Sequence, residues 1–67
     1  MKIILNNRKE EIQAEALSVQ ELISIKNFTF KLLVTKINGK LVRKDERDST
    51  PVREGDKVDI IHLISGG

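Results

Sequence analysis

Side chains that usually carry catalysis are scarce in these 67 residues. There is one histidine, His62, and there is no cysteine, tyrosine or tryptophan. Nucleophilic catalysis needs a hydroxyl, thiol or amine set beside a base, and no Asp, Ser or Cys constellation in the sequence matches His62. It reads as a polar filler near the base of the C-terminal segment. Glu10, Glu11 and Glu15 form an acidic cluster, but no His or Cys stands close to complete a metal site. They read as a solvated turn and strand. Residues 26–44 hold Lys26, Lys31, Lys36, Lys40, Arg43 and Lys44 and no acid. Phe28 and Phe30 are the only aromatics, a poor supply for stacking bases. Lysine on strand edges discourages edge-to-edge pairing, and the basic run is read that way.

The remaining candidate is the end of the chain. Residues 60–67 carry no charged side chain besides the titratable His62, and they close on Ser65-Gly66-Gly67. Glycine averages about 7% of residues, so two terminal glycines arise by chance in under about 1% of chains. A carboxylate is a poor electrophile at neutral pH. To react it must reach the α-phosphate of ATP inside another enzyme and become an acyl-adenylate. The residues before it must then thread a narrow cleft with whatever dihedrals the cleft imposes, and glycine allows both. With no cysteine, sulfur carried by this chain would sit on the C-terminal acyl carbon rather than on a persulfide.

The elements that must position this end follow from pattern. Met1–Leu5 alternates as a strand with Met1, Ile3 and Leu5 on one face. Asn6-Asn7 is a turn, and residues 10–14 suggest a weaker strand with Ile12 and Ala14 inward. Ser18-x-x-Glu21 is a capping box with Leu17 and Leu22 at the staple spacing, which predicts a helix over 18–26. Asn27 can end it in the left-handed region. Residues 28–37 predict a strand with both faces partly covered. Asn38-Gly39 is the strongest hairpin signal present, and residues 40–42 return. Residues 44–50 read as a polar surface loop, with Val52 pinning it to the core. Glu54-Gly55-Asp56 is a turn in which Gly55 takes positive φ. The final strand runs over 58–64, with Val58 and Ile60 on one face and Ile61 and Leu63 on the other. One helix on one mixed sheet satisfies this order, with the first and last strands central. If the face away from the helix is open, Ile4, Ile61 and Leu63 form an apolar docking patch.

Composition sets limits. The net charge is +2, which argues against a dedicated nucleic-acid binder. A chain this short buries only about 60% of its unfolded surface, so the core is thin. The first apolar run, Ile3-Ile4-Leu5, is too short for a signal peptide or a membrane span. A cytoplasmic protein, monomeric when free, is expected.

The opening Met1-Lys2-Ile3-Ile4-Leu5-Asn6 and the Val19-x-x-Leu22 helix start resemble the ThiS family of thiamine-pathway sulfur carriers. So do Ile37-Asn38-Gly39-Lys40-Leu41-Val42, Glu54-Gly55-Asp56-Lys57-Val58 and Ser65-Gly66-Gly67. The resemblance covers the whole chain. It implies an α+β, ubiquitin-like β-grasp fold: a single domain over 1–67 with one helix across a mixed sheet and a flexible reactive tail at 65–67. It implies a carrier rather than an enzyme. A ThiF-type enzyme adenylates the Gly67 carboxylate with Mg-ATP, a sulfurtransferase makes the thiocarboxylate, and a ThiG-type thiazole synthase takes the sulfur. Mg-ATP belongs to the activating partner, so no cofactor is assigned to this chain. Gly66 and Ser65 thread the tail into the partner; Ile61, Leu63 and Ile4 dock. The chain departs from the family where Pro-Arg often follows the short fourth strand, because Arg43-Lys44 stand there. It departs again where a Trp is common, in the stretch around Arg47. Three alternatives remain: a molybdopterin-synthase small-subunit type of carrier, a ubiquitin-like modifier joined to lysines through Gly67, and a small RNA-binding β-grasp module.

Overall fold

The computed structural model describes residues 1–28 and 32–63. Strand β1 (Lys2–Leu5) turns through Asn6 and Asn7 into β2 (Arg8–Glu11). Both asparagines have positive φ, 49° and 66°, and Leu5 faces Arg8 across the turn. Two such residues in a two-residue loop give the twist that antiparallel strands need. The second strand is therefore earlier than expected. Ile12 is buried beyond its end and Ala14 is half-buried, so the inward pair holds while the strand does not. Ile12 and Ala14 are tied down instead by the Met1 ammonium, which donates to their carbonyls at 2.6 and 3.2 Å.

Strand β3 (Leu17–Ser18) leads straight into helix α1 (Val19–Ile25). The capping box forms as expected: Ser18 Oγ accepts from Glu21 N at 3.1 Å, and Glu21 Oε1 accepts from Ser18 N at 2.9 Å. Two more helix-start N–H groups, those of Val19 and Gln20, donate to the carbonyls of Thr50 and Arg47. Asn27 ends the helix with φ 58°. Lys26 does not act through the helix dipole alone; its Nζ pairs with Glu10 Oε1 at 2.9 Å.

Strand β4 (Leu33–Ile37) forms the later part of the strand expected over 28–37, of which residues 29–31 lie outside the described ones. It turns at Asn38 and Gly39, φ 51° and 84°, into β5 (Lys40–Val42). A 3-10 turn follows at Lys44–Glu46, then β6 (Pro51–Val52) and β7 (Lys57–His62). Gly55 has φ 85°. The last strand stops short of the expected residue 64, and residues 64–67 lie outside the described ones. Among the described residues, β2-β1-β7-β4-β5 form one sheet and β3-β6 a small second one. The first and last long strands are central, and they are parallel to each other.

The core lies between the sheet and α1. Val19, Leu22 and Ile23 meet Ile3, Leu5, Val42, Val58 and Ile60 there. Val52 is buried, as expected for a residue that pins its loop. Residues 44–50 are not simply a surface loop. Arg47 turns inward and is only 9% exposed. Its Nη2 donates to Leu33 O at 2.6 Å and its Nε to Thr35 Oγ1 at 3.3 Å. Strand β5 ends at Val42, so Leu33 O has no strand beside it, and the guanidinium takes that place. Asn6 does the same where β1 ends. Its Nδ2 donates to Ile60 O at 3.1 Å, and its Oδ1 accepts from Ile60 N at 2.8 Å. No helix among the described residues is long and apolar enough to cross a membrane.

Candidate docking face and the C-terminal strand

Strand alternation splits each strand between the helix side and the outer side. Register then places the outer residues. Val34 faces Ile61, and Lys36 faces both Asp59 and Leu41. Leu63 N donates to Leu32 O at 3.0 Å, which continues the same pairing. The outer face thus has two halves. Lys2, Lys9, Glu11, Lys57, Asp59 and Lys36 make one half charged. Leu32, Val34, Leu41, Ile61 and Leu63 make the other apolar. Exposures of 51% for Leu32, 63% for Leu41, 47% for Ile61 and 46% for Leu63 leave it open among the described residues.

The expected outer residues Ile61 and Leu63 stand together. Ile4 does not join them. It is on the same face and is 38% exposed, but it pairs with Lys57. Four residues of β7 then separate it from Ile61, about 13 Å along the strand. Its neighbours are Lys2, Lys9, Glu11 and Glu54, around a shallow depression. Leu32, Val34 and Leu41 join the patch in addition to the expected residues. A signal for them existed: a two-residue turn at Asn38-Gly39 fixes Lys36 opposite Leu41, and that puts Val34 and Leu41 on one face.

The apolar half lies at the end of β7 that leads to the terminal residues. Leu63 is the last described residue, and Ser65, Gly66 and Gly67 lie outside them. His62 is exposed at the same end. Glu10 is engaged by Lys26. Among the described residues no group of three or more His, Cys, Asp or Glu is placed to hold a metal ion.

A model of the ThiS family matches residues 2–67. The chain is also similar to two solved structures from Geobacter metallireducens. One is a crystal structure of a thiamine biosynthesis protein (ThiS), at TM-score 0.89 and 28% identity over 100% of both chains. The other is a solution NMR structure of a thiamine biosynthesis protein, at TM-score 0.83 and 28% identity, covering 100% of this chain and 88% of that one. The five-stranded mixed sheet with its single described helix is the ubiquitin-like β-grasp of those neighbours. On fold and sequence together, this chain belongs to the ThiS family of thiamine-biosynthesis sulfur carriers.

Proposed function

We propose that the chain carries sulfur as a thiocarboxylate on Gly67. A ThiF-type enzyme joins the Gly67 carboxylate to the α-phosphate of Mg-ATP and releases pyrophosphate. A sulfurtransferase persulfide attacks the acyl carbon and expels AMP, and a thiol then cleaves the acyl disulfide, leaving the thiocarboxylate and a new disulfide. A ThiG-type thiazole synthase then takes the sulfur into the thiazole ring of thiamine, and the carboxylate returns. Chemistry belongs to the partners; this chain supplies the acyl group and the surface they hold. The site of this cycle is cytoplasmic, and the whole chain acts as one domain.

The observation that carries the reading is the family match through the closing Ser65-Gly66-Gly67. Two further facts support it. The chain has no cysteine to hold sulfur in another way. The exposed apolar residues Ile61, on the last strand, and Leu63, just past its end, lead to the tail, where a partner gripping the sheet would also hold the tail in line. Gly66 and Ser65 enter the partner's cleft, where their small or absent side chains avoid clashes.

The test is adenylation by the cognate activating enzyme, read as exchange of labelled pyrophosphate into ATP. The full chain supports exchange, and a chain lacking Gly66-Gly67 does not. Exchange that survives the deletion would sink the proposal. A stable amide to lysines, in place of a thiocarboxylate, would point to a modifier.

A further inference from the structure

The basic run of the sequence separates into distinct groups in the fold. Lys26 is paired with Glu10. Lys36 stands opposite Asp59 on the charged half of the sheet. Arg43, Lys44 and Arg47 instead gather round a groove of ≈ 230 Å³ at the end of β5, walled by Leu32, Leu41 and Leu63. Among the described residues, no acidic one lines that groove. It is smaller than the cavities that take cofactors or other small ligands, roughly 300–1,000 Å³, so its size suits one or two side chains.

Arg47 is the unusual wall. It is more than nine-tenths buried, and both of its bonds go to neutral groups, the Leu33 carbonyl and the Thr35 hydroxyl. Two of five guanidinium donors are thereby used. Among the described residues, no carboxylate is within ion-pair distance of it. A buried charge without a counter-charge is costly, and it is stabilised by any carboxylate that reaches it. Arginine takes such a group in a planar, two-bonded fork.

We infer that this groove receives an acidic side chain, flanked by an apolar one, from the protein partner that grips the apolar half of the sheet. The inference rests on the sulfur-carrier reading, in which that partner is the adenylating enzyme. The carboxylate meets Arg47 with Arg43 and Lys44 at the rim, and the apolar neighbour packs on Leu32, Leu41 and Leu63. Electrostatic attraction at the rim speeds encounter and selects an acidic partner surface. Arg43 stands where the family often has Pro, so it adds one cation to the rim.

The test measures binding of the full chain to the adenylating enzyme from the same source at several salt concentrations. The double variant Arg43→Glu/Lys44→Glu changes only exposed side chains. It raises Kd by about tenfold or more and flattens the salt dependence, while pyrophosphate exchange at saturating carrier keeps its maximal rate. Arg47→Met keeps the volume, removes the charge and raises Kd similarly. Lys57→Glu, on the charged half of the sheet, leaves Kd within about twofold. An unchanged Kd in the double variant overturns the groove but leaves sulfur-carrier activity standing. A wild-type chain that the enzyme does not adenylate overturns both. Tighter binding of a single-stranded oligouridylate than of the enzyme, lost in the double variant, also overturns it. If Arg47→Met unfolds, the double variant decides alone.

Discussion

Replacing Asn6 tests how the fold holds its last strand. Asn6 has φ 49° and gives Ile60 two hydrogen bonds just where β1 ends. Asn6→Gly keeps the backbone conformation and removes both bonds. At about 0.5–1.5 kcal/mol net for each, the loss is about 1–3 kcal/mol. Asn6→Ala loses the same bonds and adds about 1–2 kcal/mol for a Cβ in the left-handed region. A chain of this size has about 3–10 kcal/mol of stability in total, so the alanine variant is close to unfolding. Each kcal/mol corresponds to about 4–8 °C in Tm for a domain of this length. With no tryptophan or tyrosine present, far-UV circular dichroism in urea is the practical assay. Amide exchange at Ile60 gives the local readout, because its N–H is the donor to Asn6 Oδ1. A glycine variant within about 0.5 kcal/mol of wild type, with Ile60 protection unchanged, would refute the reasoning.

Three other outcomes are expected. Leu22, fully buried under the sheet, costs about 2–5 kcal/mol on change to alanine, and a urea midpoint close to wild type would contradict its place in the core. Gly55→Ala meets no atom within 4 Å but keeps φ 85°, so it costs about 1–2 kcal/mol from backbone strain alone; Gly55→Asn should recover part of that in the same melts. Ile61→Asp leaves the melt nearly unchanged because Ile61 is half exposed, while affinity for the activating enzyme drops; unfolding instead would show that Ile61 belongs to the core.

Local signals in the sequence were the legible ones. Ser18 and Glu21 announce the helix start, Asn27 its end, and Asn38-Gly39 and Gly55 their turns, because each solves a backbone problem within a few residues. Alternation in Met1–Leu5 and in Val58–Leu63 correctly separated core from outer face. Registry across the sheet was harder to read. Ile4 shares a face with Ile61, yet parallel pairing with Lys57 depends on a crossover that sequence spacing does not fix. Ile12 looks like a strand residue in sequence, although its burial comes with a carbonyl held by the N-terminal ammonium rather than with a strand. Arg47 gave no sign of burial. It sits among charged neighbours, and what draws it in is an open carbonyl on a strand fourteen residues earlier.

Intact-mass spectrometry of the protein from its native source tests the central claim most directly. Sulfur in place of one terminal oxygen, localised to Gly67, is the predicted result. A plain carboxylate that persists when ATP, the activating enzyme and a sulfur donor are all supplied would contradict it.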